Sequence, residues 1–225
     1  MNSHLVSLSL SLASQTYTQN NHMVVSDSNH IWPHLGYDLI IAFKGSTSME
    51  DLLDDADSNL VKMWEGEEVR VHRGFKRSYE KNKSLIFDSI EKHDPSKILF
   101  CGHSLGGALS YLCAMDIMMK QAKHIHADTI TFGSPKIGNT EVSLILPEFV
   151  DTCHMRVAHV YDPIPKYPFN NKYHHAIPSG LYVGTKNHHA KTRGPLYHHS
   201  VRSYRKSLSM KITPLNILKK CLKSF

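Results

Sequence analysis

Residues 100–109 read "FCGHSLGGAL". Gly102 and Gly106 bracket Ser104, and Gly107 follows. A short apolar run, "KILFC" (97–101), leads in, and "GALSYLCAMDIMMKQ" (107–121), apolar almost all round, leads out. The first has the length of a buried strand and the second that of a buried helix. The G-x-S-x-G stretch therefore lies at a strand-to-helix turn. In that setting a serine takes a strained apex, and its hydroxyl projects past the sheet near the positive end of the helix. The flanking glycines let strand and helix pass closely. An ordinary glycine turn is the plainer alternative, and the flanking pattern weighs against it.

Further apolar runs fit buried strands: "LIIAF" (39–43), "TITF" (129–132) and "RVAHVY" (156–161). "WEGEEVRVH" (64–72) and "HHAIPSGLYVGT" (174–185) read as additional strands. "SYEKNKSLIFDSIEKH" (78–93) reads as a helix with Leu85, Ile86, Ser89 and Ile90 on one side. Strands alternating with helices indicate an α/β protein with a mainly parallel sheet. No repeat or long Pro/Gly/Ser linker divides the 225 residues, so residues 1–225 are expected to form a single domain.

A nucleophilic serine needs a base, and the base needs an orienting acid, in the chain order Ser, Asp, His for this kind of turn. Asp162 directly follows the 156–161 strand, and Pro163 and Pro165 end that strand. Asp128 and Asp151 precede strands, at the wrong edge of the sheet, and Asp116 lies inside the helix. The base must come later, among three histidine pairs: His174-His175, His188-His189 and His198-His199. "LYHHSVRSYRKSL" places the last pair in a loop before a short helical pattern.

Composition excludes other classes. Hydrophobic residues make up 41% and charged residues 20%, which argues against disorder. The net charge of +6 is compatible with an anionic membrane or a nucleic acid. No aromatic-basic interleaving or recognition motif accompanies it, so no nucleic-acid partner is expected. Cys101, Cys113, Cys153 and Cys221 form no C-x-x-C pair, and neither a disulfide framework nor a zinc site is expected. Seventeen histidines raise the question of a metal. Adjacent histidines point apart on a strand and no carboxylate or cysteine joins the pairs, so they read as loop residues plus one catalytic base. The stretch "MNSHLVSLSLSLASQTY" has no Lys or Arg ahead of its apolar part, and no run is long enough for a membrane span. An intracellular protein, cytoplasmic or peripherally membrane-associated, is the resulting expectation.

Six segments, in order over about residues 35 to 205, resemble the fungal-type (class 3) lipases of the α/β-hydrolase fold. "IAFKGSTSMEDLLDD" is similar to that family's oxyanion segment, "VHRGFKRSY" to its Val-His-x-Gly-Phe strand end, and "GHSLGGAL" to its serine turn. "TFGSPKIGN" resembles its Phe-Gly-Ser-Pro-Arg-Val-Gly-Asn segment, and "DPIPKYP" its acid loop. "HSVRSY" resembles its histidine segment, which selects His199 over His198. Lys44 stands where the family has Arg and Leu52 where it has Trp, and the region before residue 35 is short for the family's N-terminal strands.

The resemblance implies an α/β-hydrolase fold and a serine hydrolase of triacylglycerol lipase or phospholipase A1 type. Its catalytic residues are then Ser104, Asp162 and His199. Its oxyanion donors are the N–H of Leu105 and Ser46, with no metal or organic cofactor. His103 is expected to point away and take no part. Residues 47–57 carry an apolar stripe at Met49, Leu52, Leu53 and Ala56, with Ser48 and Asp51 as a capping box. They read either as a surface helix or, from the family, as a lid over the acyl groove. The basic tail, 211–225, reads as a docked or frayed end or as a membrane-surface helix. An acyltransferase or small-ester esterase would use the same triad. A non-catalytic lipid-associated protein would have no need for Ser46, Ser104, Asp162 and His199 together. The oligomeric state is left open.

Overall fold

The computed structural model describes residues 3–19, 23–27, 35–46, 59–120, 125–149, 151–184 and 196–211. Its centre is a six-stranded sheet built from β1 (Met23–Asp27), β2 (Leu39–Phe43), β5 (Lys97–His103), β6 (His126–Phe132), β7 (His154–His159) and β8 (Leu181–Val183), side by side in that order. β1 runs antiparallel at the edge and the other five are parallel. The mainly parallel α/β-hydrolase sheet is therefore present.

The unbroken apolar runs follow from burial on both faces. Leu39, Ile41, Phe43, Ile98 and Phe100 meet one core, and Ile40, Ala42, Leu99 and Cys101 meet the other. Helices α2 (Arg73–His93) and α3 (Leu105–Lys120) cover the first face. Helices α1 (Ser3–Thr18) and α5 (Val201–Lys211) cover the second. A short α4 (Val142–Ile145) follows β6.

Three sequence expectations change in detail. The 64–72 run is strand only at its end: β4 (Arg70–His72) pairs with β3 (Leu60–Lys62), and the chain turns between them through Gly66 at φ +83°. Helix α2 begins at Arg73, and Phe75, Tyr79, Ile86 and Ile90 form its buried stripe, while Leu85 is exposed. The segment before residue 35 supplies α1 and β1, with the α1 side chains Leu5, Val6, Leu10 and Leu12 buried. Its serine and threonine are accommodated because Ser9 Oγ donates to the Leu5 carbonyl (2.8 Å) and Thr16 Oγ1 to that of Ala13 (2.8 Å).

Residues 47–57, His188-His189, Cys221 and the tail beyond Lys211 lie outside the described residues. Among the described residues, no helix is long and apolar enough to cross a membrane.

Candidate active site

All five parallel strands end at one edge of the sheet, and in the sequence Ser46 follows β2, Ser104 and Leu105 follow β5, Asp162 follows β7 and His199 follows β8. Ser104 is the single residue between β5 and α3. Its backbone is left-handed, φ +59°, a conformation an L side chain rarely adopts and one that signals local strain. A side chain on Gly102 would run into the backbone of Gly106, and one on Gly106 into the Phe43 carbonyl. Both glycines are thus required by close approach. The same approach brings the end of β2, and with it Ser46, beside the N-terminus of α3. The first N–H groups of a helix have no partner inside it, and Leu105 is the first residue of α3.

On the far side, Asp162 is buried and accepts hydrogen bonds from three donors. His199 Nδ1–H donates to Oδ2 (2.8 Å), Tyr204 O–H to Oδ2 (2.6 Å) and the Ile164 N–H to Oδ1 (2.9 Å). The His159 N–H in turn donates to the Tyr204 hydroxyl (3.0 Å). A carboxylate only accepts, so it assigns the proton of neutral His199 to Nδ1 and leaves Nε2 as the basic atom. Burial, and then the Asp162 charge, push the Tyr204 phenol well above its ordinary range, so it remains a donor. Gly133 leaves room for this cluster: a Cβ there would lie 2.9 Å from Asp162 Oδ2 and 3.1 Å from His199 Cε1.

Ser104 Oγ and His199 Nε2 are both buried, and neither has a hydrogen-bond partner. The structure thus forms the Asp162–His199 link and leaves the Ser104–His199 link open. Such contacts are often long in an unliganded site and tighten around substrate. The two residues nevertheless share their supports. Ser104 N–H donates to the Phe132 carbonyl (2.9 Å), next to Gly133. His103, directly before Ser104, donates from Nε2 to the backbone carbonyl of His199 (2.5 Å).

His103 therefore does not point away. Its ring packs 4.5 Å from that of His199, and its Nδ1 accepts the Tyr17 hydroxyl of α1 (2.9 Å). Burial, then the neighbouring His199 charge, push it down to about 3, so it is a neutral strut. The sequence offered no local signal for this strut, whose two ends lie 86 and 96 residues from His103. Tyr204, at the end of "HSVRSY", has no sequence signal that marks its role. One turn of α5 carries it back onto Asp162. A cleft of about 380 Å³ opens here, and Tyr17, Ser46, His103, Leu196, His199 and Val201 are among its lining residues.

The family model described as "Lipase (class 3)" matches residues 40–172, more than half of the chain. The chain belongs to the class 3 lipase family. The matched span includes Ser46, Ser104, Leu105 and Asp162 and ends before His199. This class 3 member is 26% identical over 157 residues to a Rhizopus niveus lipase, covering 66% of this chain and 40% of that protein. It is 25% identical over 155 residues to a rice phospholipase A1-II 1, covering 58% and 39%. The chain thus spans about 40% of the length of these curated relatives. A secreted mono- and diacylglycerol lipase of Malassezia globosa is 24% identical over 200 residues, covering 74% and 64%. Among solved structures, the Aspergillus oryzae mono- and diacylglycerol lipase superposes with a TM-score of 0.57 at 24% identity, covering 67% of this chain and 55% of that one. The Rhizomucor miehei triacylglyceride lipase gives 0.56 at 24%, covering 64% and 57%. These superpositions support the α/β-hydrolase fold.

Proposed function

We propose that this chain is a serine hydrolase that cleaves carboxylic esters of lipids, of triacylglycerol lipase or phospholipase A1 type. The observation that carries the reading is the buried Tyr204–Asp162–His199 chain ending on an unpartnered Nε2, beside an unpartnered serine hydroxyl on a strained turn. Names of relatives support the substrate class: a lipase, a phospholipase A1 and a mono- and diacylglycerol lipase.

In this mechanism Ser104 Oγ attacks the ester carbonyl while His199 Nε2 takes its proton. Asp162 holds the imidazole in the Nδ1–H tautomer and stabilises the imidazolium that forms. The carbonyl oxygen becomes an oxyanion, which the N–H groups of Leu105 and Ser46 stabilise. The imidazolium returns its proton to the leaving alcohol, and an acyl group remains on Ser104. Water, deprotonated by the same Nε2, attacks the acyl-enzyme and releases the fatty acid. Neutral His103 adds no positive charge next to the imidazolium.

Tyr204 acts through Asp162 and is a positioning residue. Tyr204→Phe removes the hydrogen bond to the Asp162 carboxylate and the acceptor of the His159 N–H, so kcat falls about tenfold with KM unchanged. Steady-state kinetics on a soluble nitrophenyl ester would register this, and a change in KM alone would contradict the role. The function itself is tested by fatty-acid release from trioctanoylglycerol emulsions and phosphatidylcholine vesicles. Release from at least one, absent in Ser104→Ala, is expected; no release from either would overturn the reading.

An intracellular location, with peripheral contact at a lipid surface, belongs to the same proposal. Cys101, Cys113 and Cys153 are free thiols, as befits a reducing compartment, and burial pushes Cys101 up to about 12.

A further inference from the structure

A second cleft, of about 500 Å³, lies between the 134–143 and 171–178 segments. It shares no lining residue with the cleft at His199. Lys136, Ser143, Asn171, His174 and His175 line it, and among the described residues no carboxylate does. Lys136 Nζ donates to the carbonyls of Pro168 (3.3 Å) and Asn170 (3.2 Å), which leaves one of its three N–H groups for another acceptor.

Behind the cleft sits a buried cation. Arg156 is 3% exposed; its Nε donates to the Ile177 carbonyl (3.0 Å) and its Nη2 to that of Pro178 (3.1 Å), a residue of the cleft wall. Its Nη1 has no partner, and none of the ion pairs among the described residues includes it. His175 feels both cations. Burial first, then Arg156, with Lys136 adding to them, push its imidazole down to about 3 against the pull of the Pro165 and Pro135 carbonyls. Two positive charges and two imidazoles thus lie together, and among the described residues no carboxylate lines the cleft or forms an ion pair with Arg156. A buried charge without a counter-charge is costly, and an anion in the cleft relieves that cost.

We propose that this cleft binds a phosphoryl anion, held by Lys136 Nζ, the His174 imidazole and the Asn171 amide, with Arg156 supplying charge from behind. A lysine with a spare N–H, an imidazole and a side-chain amide in one cleft offer more donors than the two oxygens of a carboxylate use, which suits a phosphoryl group. The anion is either free phosphate or the phosphate of a lipid headgroup. The site does not depend on the hydrolase reading.

Calorimetry of the full chain with inorganic phosphate, at ionic strength matched with chloride, tests it. Saturable binding is expected, weakened about tenfold in His174→Ala, which loses one hydrogen bond to a charged acceptor. The His174 backbone bonds, to the Gly138 carbonyl and from the Ile137 N–H, do not involve that side chain, so the variant folds. Lys136→Arg, which keeps the charge, retains binding, and Lys136→Gln loses it. Sedimentation with phosphatidylcholine vesicles, with and without phosphatidic acid, separates the sources. Phosphatidic acid-dependent binding that His174→Ala weakens assigns a lipid headgroup, and phosphate binding without it assigns free phosphate. No saturable phosphate binding, or binding equal in all variants, overturns the proposal.

Discussion

Ser104→Ala is expected to lower ester hydrolysis by on the order of 10⁶-fold in kcat, with His199→Ala close behind and the double variant no worse than either single one. Nucleophile and base act as one unit, so removing the second costs nothing further. The change should leave the fold intact. Ser104 Oγ is buried without a partner, so the truncation abandons no hydrogen bond. It removes only a hydroxyl and keeps the Cβ that this turn, with its close-packed glycines, already accommodates. Equal thermal melting of wild type and variant, measured beside the kinetics, establishes that the loss is chemical. Losses that multiply in the double variant would show that the two residues do not share one step.

The largest stability effect is expected from Asp116, a buried carboxylate in α3 remote from Ser104 in role. It accepts the Trp64 Nε1–H (2.6 Å), the Tyr79 hydroxyl (2.8 Å) and the Lys83 ammonium, tying α2 and the β3–β4 turn to the core. Asp116→Ala strands two buried donors and one cation and should cost about 3–5 kcal/mol, or roughly 10 °C in melting temperature. Burial alone would raise the Asp116 carboxyl, but the hydrogen bonds from Lys83, Trp64 and Tyr79, with the Lys83 charge, outweigh it and hold the group below its ordinary value. A carboxyl depressed in the fold stabilises above its unfolded pKa, about 3.9. That stabilisation is lost as pH falls through the folded value. The gap between wild type and variant should therefore be constant near neutral pH and shrink below about pH 4. Denaturant unfolding at a series of pH values measures it, and a gap that widens in acid would contradict the assignment.

What the sequence made legible was local. The serine turn could be read because its glycines, strand and helix are contiguous, and Asp162 because a strand and two prolines frame it. The central strands announced themselves through uninterrupted apolar runs, which double-sided burial requires. Helix α1 was hidden because its Leu–Ser alternation carries no evident helical period, and only back-bonded hydroxyls make those serines tolerable inside. The 64–72 run has its valines only at its end, and the Gly66 turn precedes them. The roles of His103, expected to point away, and of Tyr204 are not legible in the sequence because their work is done across the fold. Tyr17, His103 and the His199 carbonyl meet only when α1 docks under the sheet edge, and Tyr204 meets Asp162 only when α5 turns back. Choosing His199 over His198 needed the resemblance, since the pair is symmetric in the sequence; the Asp162 contact distinguishes them in space.

The central claim is that Ser104 is the nucleophile and that His199 activates it. Treatment with an alkyl phosphonate ester, followed by peptide mass spectrometry, tests both at once. A single adduct on Ser104 is expected, absent in Ser104→Ala, strongly slowed in His199→Ala and unaffected in His198→Ala. An adduct on another residue, or labelling that persists in His199→Ala and disappears in His198→Ala, would contradict the account.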